Sequence, residues 1–260
     1  MMNSNELTSF NVYRTSTVQS GSKTGKRYGK KNADFHALER ALDMIIFTDY
    51  EVNRFWGGDK FTDANQKLGT QMKATGEVMS VGRTFEESLL KAIRSLETGV
   101  NHLYMEKFEK EEKQDLMDYI KIGTDDRIFA IARLLRMGES VSDIRERTRI
   151  DCFFLDKMKK IIDMENELKQ GIGNWELLYQ AKKMGFSDQA IGLLWNMTEK
   201  DIYEMRKKYD IFPVYKMIDT CAAEFEGTVP YFNSTYEAEN ESVVTVKEKI
   251  IVLGSGPIRI

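Results

Sequence analysis

The sequence predicts a mainly α-helical protein, and three observations support that fold class. Only 3 prolines occur in 260 residues, apolar residues recur at spacings of three and four, and a helical unit repeats after about 47 positions. Proline blocks helix continuation, and a period of 3.6 residues gathers apolar side chains on one helix face, so these features favour long stretches of packed helices. Hydrophobic residues make up 42% of the chain, enough to build a core.

Composition excludes several classes of protein. The 38 basic and 41 acidic residues nearly balance, whereas a dedicated nucleic-acid-binding protein usually has a basic excess. No run of about 18 apolar residues could cross a bilayer, and the N-terminus lacks the pattern of a secretory signal. The two cysteines, Cys152 and Cys221, stand far apart and fit reduced thiols, so we expect a cytoplasmic protein without membrane partners.

The N-terminal region is predicted to contain a basic tail and one helix. Residues 20–31 are rich in glycine and lysine, which favours an extended, flexible segment. A helix is predicted over residues 34–47, because apolar residues recur there at helical spacing: Ala37, Leu38, Ala41, Leu42 and Ile45.

The next region reads as short strands followed by a helix. Residues 67–82 carry glycines every few positions and short apolar pieces, which is typical of turns and strands. Thr84 with Glu87 three residues later forms a capping-box pattern, and Gly99 is the predicted C-terminal stop of that helix.

The central region contains the repeat. Residues 137–140 (MGES) match 184–187 (MGFS) after a shift of 47 positions. Each unit is predicted to run as helix, glycine stop, short helix, cap residue and longer helix, with Ser140 and Ser187 capping the short helices and Asp151 and Thr198 the longer ones. Two such units are expected to pack as one helical domain. The predicted helices cover 125–137, 152–168, 175–184, 188–194 and 200–209.

The C-terminal region has strand composition in three places. Residues 231–236 and 243–246 are rich in aromatic or β-branched residues, and 249–256 is an apolar run that ends in glycines, typical of a buried strand in an α/β sheet. A lone buried strand of that kind needs a sheet to join, so we expect the sequence to be part of a larger protein.

Two segments are similar to nucleotide-binding motifs, but neither has the complete pattern. Residues 21–26 (GSKTGK) have only three residues between the glycines of a P-loop, and 254–256 (GSG) lacks the third glycine of a dinucleotide fingerprint. His36 and His102 stand isolated and are predicted to be ordinary surface histidines, so no metal site is expected.

Two further alternatives concern the cysteines and the repeat. Neither cysteine has a neighbouring histidine in sequence, so half-buried thiols are favoured over a catalytic dyad. The repeat units are similar to helix-turn-helix elements, but the helix that starts at Cys152 mixes acids with a broad apolar face and lacks side chains typical of base readout. A packing role is therefore preferred to nucleic-acid binding.

Four segments resemble the large subunit of carbamoyl-phosphate synthetase, in the correct order. They are residues 71–79 (QMKATGEVM), 82–88 (GRTFEES), 212–225 (FPVYKMIDTCAAEF) and 249–260 (KIIVLGSGPIRI). The resemblance implies four parts: an unassigned segment 1–48, the end of the first (carboxyphosphate) ATP-grasp half over 49–99, a helical oligomerisation domain over 100–246, and the first strand and loop of the second half over 247–260. Residues 1–48 do not follow the family, and most of both synthetase halves is missing, so a truncated or rearranged subunit is expected.

The resemblance also implies a function. The family uses ATP, magnesium, bicarbonate and glutamine-derived ammonia to make carbamoyl phosphate for pyrimidine and arginine synthesis. Its catalytic residues lie in the missing parts, so we expect no catalytic, cofactor-binding or metal-binding residue in this chain. Met72, Glu77 and Met79 are candidates for the lining of the substrate passage, or else they pack a domain boundary.

The expected role is therefore that of a structural and self-association module without independent catalysis. One alternative is a component of a split synthetase that is active only with the missing halves on other chains, and further partners would be such fragments or the glutamine amidotransferase small subunit. A helix-turn-helix binder of nucleic acid is the disfavoured third reading.

Overall fold

A computed structural model describes residues 44–47, 78–96, 99–218, 231–243, 245–248 and 250, with only the backbone described for 44–47 and 78–79. All of them lie within one compact unit that extends from Arg40 to Ile260. The described part is mainly helical, as the sequence predicts.

Eight α-helices and four strands follow one another along the described residues. The first strands are β1 (Met44–Phe47) and β2 (Val78–Val81), and the last are β3 (Val214–Met217) and β4 (Phe232–Thr235). A short 3₁₀ helix spans Glu106–Phe108. The helices are α1 (Phe85–Ser95), α2 (Lys113–Tyr119), α3 (Arg127–Arg136), α4 (Val141–Thr148), α5 (Cys152–Gln170), α6 (Trp175–Lys183), α7 (Asp188–Trp195) and α8 (Glu199–Lys208).

The predicted repeat is confirmed in the backbone. Repeat one consists of α3, α4 and α5, and repeat two consists of α6, α7 and α8. The short helices α4 and α7 begin and end 47 residues apart, and α5 and α8 begin 47 residues apart. Gly138 and Gly185 both have positive φ, at +83° and +94°, so each allows the left-handed turn that ends the first helix of its unit.

The four predicted helix caps are confirmed as well. Ser140 and Ser187 accept hydrogen bonds from the backbone N–H groups of Asp143 and Ala190. The Asp151 side chain accepts from Phe153 N. Thr198 forms a complete capping box with Asp201. These bonds satisfy donors that a helix start leaves unpaired, which is why the cap residues fix where the helices begin.

One hydrophobic core joins α1, the segment that follows it and both repeats. Its fully buried members come from every layer, including Leu90 of α1, Leu103, Ile131 of α3, Leu155 of α5 and Ile191 of α7. Each such side chain contributes roughly 1.5–3 kcal/mol when it leaves water. The two repeats therefore fold as parts of one domain rather than as separate units.

The strands form two separate antiparallel pairs. β1 pairs with β2, with Ile46 opposite Met79, and β3 pairs with β4, with Met217 opposite Phe232. The predicted strand at 231–236 is thus confirmed by β4. We refer to β3 and β4 together as the ribbon.

Several predicted elements differ from the structure. The predicted helix over 34–47 is wrong at Met44–Phe47, which is a strand; residues 34–43 lie outside the described part. Pairing with β2 overrides the helical spacing there, because strand preference depends on the partner. The helix that starts after Thr84 ends at Ser95, before the predicted stop at Gly99. In the predicted capping box at the start of this helix, the Glu87 side chain accepts from Arg83 N, one residue before the cap residue Thr84.

The C-terminal predictions are partly untested. Val243, Thr245 and Val246 are not in a strand, so the predicted strand over 243–246 is wrong at those residues. The predicted strand over 249–256 lies outside the described residues apart from Ile250, which is exposed and irregular. Residues 21–26 and 254–256, where the sequence lacks a complete nucleotide-binding pattern, also lie outside the described part.

Candidate functional site

The residues expected to line a substrate passage are placed only in part. Met72 and Glu77 lie outside the described residues. Met79 lies in β2, opposite Ile46 of β1, and its side chain is not described. The passage therefore stays a prediction, and the candidate sites below come from other residues.

A buried ionic cluster lies inside repeat two. The Asp188 carboxylate, at the first position of α7, is 2.9 Å from Lys182 Nζ and accepts three hydrogen bonds from Arg206 at 2.6–3.0 Å. All three residues are buried. Taking these charges out of water is costly unless they pair, so the three residues depend on one another.

Backbone carbonyls and one aromatic ring complete the ionic cluster. Lys182 donates to Phe186 O at 2.7 Å, and Arg206 donates to Ile211 O at 3.2 Å. Both cations face the Tyr236 ring, 5.1 and 5.9 Å from its centroid. Tyr236 directly follows β4, so the cluster fastens the ribbon to repeat two.

Burial and neighbouring charges shift the pKa of Lys182 and that of Asp188. Burial lowers the pKa of Lys182, and Asp188 opposes that change. Burial alone would raise the pKa of Asp188, but bonds from Arg206 and Lys182 outweigh it and hold the pKa below its usual range. The bonds within the cluster favour the charged form of Asp188, which suits a fixed structural junction.

Helix α1 connects the helical repeats to the strands. Lys91 donates to Val81 O, Asn233 Oδ1 and Ser234 O at 2.6–3.0 Å. Arg94 donates to Gly185 O at 2.7 Å, in the turn of repeat two. One face of α1 therefore holds β2, the ribbon and repeat two in place.

A second buried network lies against repeat one, and it shows that the prediction for His102 is wrong. His102, predicted to be a surface histidine, is largely buried, and its Nε2 is 2.7 Å from Glu165 of α5. Arg136 of α3 makes two bonds to the same carboxylate and a third to Leu103 O. The imidazole packs on Phe186 at 4.7 Å between ring centroids. His36 lies outside the described residues.

Burial and hydrogen bonding set the charges of this network. Burial lowers the pKa of His102, although Glu165 opposes the change. For Glu165, burial would raise the pKa, but bonds from Arg136 and His102 hold it at about 2. His102 Nδ1 has no hydrogen-bond partner among the described residues.

Among the described residues, no cysteine lies beside this histidine. Cys152 is half-buried at the start of α5, as predicted, whereas Glu165 and His102 meet 13 residues further along the same helix. At 1.5 Å per residue, that separation is about 20 Å, too far for a Cys–His pair. Cys221 lies outside the described residues. No group of three potential metal ligands occurs in the part of the chain that the structure describes.

An open cleft of about 370 Å³ lies between α2 and α4. Its lining mixes acids and bases, which gives no single charge for a ligand to match: Lys113, Gln114, Glu139, Asp143, Glu146 and Arg147. The exposed face of α5 is mixed too, and Lys159 there binds Asp163 at 2.8 Å. This supports a solvated face over base readout, which usually relies on exposed Arg, Asn and Gln.

Exposed apolar side chains are distributed unequally between the repeats. Repeat one exposes one large apolar side chain, Met137, and Ile172 in the connection between the repeats is exposed as well. Repeat two exposes four, namely Trp175, Leu193, Tyr203 and Tyr209. Trp175 and Tyr209 stack on each other at 5.6 Å, so the start of α6 and the end of α8 form one aromatic surface.

The ribbon carries a second apolar face. Tyr215, Met217 and Phe232 point outward and are exposed, while Lys216 on the other face is buried. The outer edge of β3 is covered, because Tyr215 N and Met217 N donate to the side chains of Asn240 and Glu241. A covered edge does not offer a template for strand addition.

Fold and surface together define a helical two-repeat domain that presents apolar surface on one repeat. The family profile described as "Carbamoyl-phosphate synthetase large chain, oligomerisation domain" matches residues 77–210, just over half of the chain. The chain belongs to the family of carbamoyl-phosphate synthetase large chains. The match extends from the residue before β2 to two residues after α8, so it contains α1 and both repeats. Among the described residues, no helix is long and apolar enough to cross a membrane.

Proposed function

We propose that this chain acts as a self-association module of a carbamoyl-phosphate synthetase large chain, and that repeat two carries the association surface. The observation behind the proposal is the unequal exposure of apolar side chains in two units with the same backbone, four in repeat two against one in repeat one. Exposed apolar surface is removed from water when copies associate, which favours assembly. The matched domain is an oligomerisation domain, which agrees with this role.

The surface has the composition of an interface. Interfaces are enriched in Trp and Tyr, because these side chains bury much area and have few rotatable bonds. Trp175 and Tyr209 are held in place by stacking, and Lys208 lies 5.2 Å from the Tyr209 ring centroid. Ordered side chains lose less entropy on association, so this patch is suited to binding.

The wider role follows from the family resemblance. In that role the module would belong to an ATP-dependent synthesis of carbamoyl phosphate for pyrimidine and arginine production in the cytoplasm. ATP and magnesium would be bound outside this module. The alternative is a split synthetase in which other chains, including a glutamine amidotransferase subunit, supply the missing parts. A nucleic-acid partner is disfavoured by the mixed charges of α5.

Sedimentation velocity over a wide concentration range tests the association role. The chain should shift from monomer to a discrete oligomer as concentration rises into the micromolar range. A variant in which Trp175, Leu193, Tyr203 and Tyr209 are all replaced by Gln should stay monomeric, and Met137→Gln in repeat one should behave like the parent chain. A parent chain that stays monomeric at high micromolar concentration would contradict the proposal.

Calorimetry with Mg-ATP tests whether the chain has an ATP site of its own. We expect no heat of binding from the chain alone. A stoichiometric site with a micromolar constant would contradict the proposal that ATP is bound outside this module.

A further inference from the structure

The second helices of the two repeats offer a direct comparison of surfaces. Helices α4 and α7 have the same length, the same serine cap and the same left-handed residue after the helix, Arg149 with φ +62° and Asn196 with φ +54°. Each also buries one isoleucine completely, Ile144 in α4 and Ile191 in α7. The two helices differ in burial: α4 buries only Ile144, whereas α7 buries Asp188, Ala190, Ile191, Gly192 and Trp195 and exposes a narrow outer face.

The outer face of α7 is uncharged, whereas that of α4 is charged. On α7 the exposed side chains are Gln189 and Leu193, four residues apart on one face, and the exposed Asn196 directly follows the helix. Leu193 in the middle is 79% exposed. The equivalent exposed residues of α4 are Ser142, Glu146 and Arg149, flanked by further exposed charges. Asp188, the charge at the start of α7, is buried in its ionic cluster.

We propose that the outer face of α7 packs against the same face of a second copy of this chain, across a two-fold axis near Leu193. This inference rests on the proposed self-association and names its contact. In a two-fold interface each residue near the axis meets its own counterpart. A central charge would then face an identical charge, which costs several kcal/mol. The uncharged α7 face avoids that cost, while the equivalent face of α4 does not.

The polar residues on the α7 face suit pairing with themselves. Amide side chains carry both donors and acceptors, so Gln189 and Asn196 can bond to amides of an identical partner. Gln189 Oε1 accepts from Asn101 Nδ2 at 2.6 Å, which orients the amide and leaves its NH₂ group for other partners. Leu193 between these two amides gives an apolar centre with a polar rim, the usual arrangement of an interface.

The size of the outer face of α7 limits the expected affinity of the dimer. Eight residues span about 12 Å of helix, and specific interfaces usually bury about 800 Å² per partner. The α7 contact alone is smaller than that. We therefore expect a weak dimer whose centre, at Leu193, decides whether it forms.

Site-directed crosslinking tests the position of the axis. In a Cys152→Ser, Cys221→Ser background, Leu193→Cys places two thiols next to each other in the dimer, and Glu146→Cys is the matched control at the same position of α4. Disulfides form only when Cβ atoms come within about 4.5 Å. Adjacent thiols have an effective concentration near millimolar, so at micromolar protein the Leu193→Cys dimer should form on the order of 100-fold faster than the Glu146→Cys dimer.

A charge variant measures the same contact without cysteines. Leu193→Glu places two carboxylates at the axis and should raise the dimer dissociation constant at least about 10-fold. Leu193 is exposed, so folding, checked by circular dichroism, should not change. Glu146→Gln is the control and should leave the dissociation constant unchanged.

The outcomes separate this inference from the proposed function. If the chain associates but Leu193→Cys and Glu146→Cys crosslink at equal rates, the α7 contact is wrong and self-association stands. The same conclusion follows if Leu193→Glu associates as tightly as the parent chain. If the parent chain is monomeric throughout, both proposals fail.

Discussion

Repeat one and repeat two share a backbone but bury different chemistry at equivalent positions. Positions that carry an ionic cluster in repeat two carry two apolar residues and one exposed lysine in repeat one. The equivalent pairs are Lys182 and Leu135, Asp188 and Val141, and Arg206 and Lys159. The same turn and helix positions thus accept either an apolar contact or a buried ionic cluster. Local signals such as caps and glycines set the path of the backbone, and the core between the helices tolerates both solutions.

The neighbours of each repeat account for part of this difference. The cluster of repeat two contacts Tyr236 after the ribbon, so its charges serve a junction between two parts of the fold. Repeat one makes its own polar junction elsewhere, where Glu165 of α5 meets His102. Helix α8 ends at Lys208, nine residues shorter than α5, so repeat two has no helical counterpart of Glu165.

Removing the carboxylate of the repeat-two cluster should have the largest effect on stability. Asp188→Val, which installs the repeat-one residue, leaves Lys182 and Arg206 as buried cations without their partner. We expect a loss of about 3–5 kcal/mol in the free energy of unfolding, measured by urea denaturation.

The matched control converts the whole cluster to apolar residues. Replacing a buried ion pair completely by apolar residues is often neutral or stabilising. The triple variant Lys182→Leu, Asp188→Val, Arg206→Met should therefore be more stable than Asp188→Val alone. Equal stability of the two variants would mean that the cations do not depend on Asp188.

Acidification should weaken the junction that belongs to repeat one. The pKa of Glu165 is held at about 2, below its ordinary 4.5, so the unfolded chain takes up a proton first as the pH falls. The contribution of Glu165 to the free energy of unfolding is on the order of 3 kcal/mol. It is present above pH 4.5 and is lost between about pH 4.5 and 2. The pKa of His102 is also lowered, so the unfolded chain binds its proton first below about pH 6.5, and stability falls there as well.

Urea denaturation at several pH values, on the parent chain and on His102→Gln, separates these two contributions. The variant should lose less stability than the parent on acidification from pH 7 to 5, because it lacks the titrating imidazole. The steeper loss below pH 4.5 should remain. A parent chain that gains stability relative to the variant on acidification from pH 7 to 5 would show that His102 favours its charged form when folded.

Gly138 and Gly185, which end the first helix of each repeat, are expected to differ least in the effect of a substitution. Both have positive φ, so alanine at either position costs about 1–2 kcal/mol of backbone strain. A Cβ at Gly138 meets nothing within 4 Å, whereas a Cβ at Gly185 lies 2.9 Å from Glu87 Cα and 3.1 Å from Glu87 O. Those are backbone atoms of α1 that cannot swing aside. Gly185→Ala should therefore cost about 1–3 kcal/mol more than Gly138→Ala.

Thermal or urea unfolding of the two alanine variants measures this difference. Equal losses would mean that α1 shifts away from repeat two at little cost. In that case the contact between Arg94 and Gly185 O should also be dispensable, which Arg94→Met would test by the same measurement.

Much of the helical fold was predictable because its signals are local. The four cap residues and the two glycines each act within a few residues of chain, so Ser140, Asp151, Ser187 and Thr198 could be identified from sequence. The strand at Met44–Phe47 was not, because its helical spacing is overridden by pairing with residues more than 30 positions away. Helix α2 also lacked a distinctive pattern, and it has no side-chain cap.

The candidate sites were less predictable, because they depend on distant neighbours. His102 becomes a buried group only because Arg136 and Glu165 approach from positions 34 and 63 residues further along the chain. Asp188 looks like an ordinary residue of a first helical turn until Arg206 is folded against it. The surface of repeat two could have been found in part, since Leu193 stands where the repeat predicts Glu146.

The sequence by itself determined the helical class, the 47-residue repeat and the start of the second and third helix of each repeat, because hydrophobic period and caps act over one or two turns. Its resemblance to the carbamoyl-phosphate synthetase large chain came from segments that read directly along the chain. Only the tertiary structure decided which charges are buried and which apolar residues stay exposed. Burial depends on the elements that pack against a residue, and Asp188 of α7 and Leu193 five residues later have opposite environments for that reason.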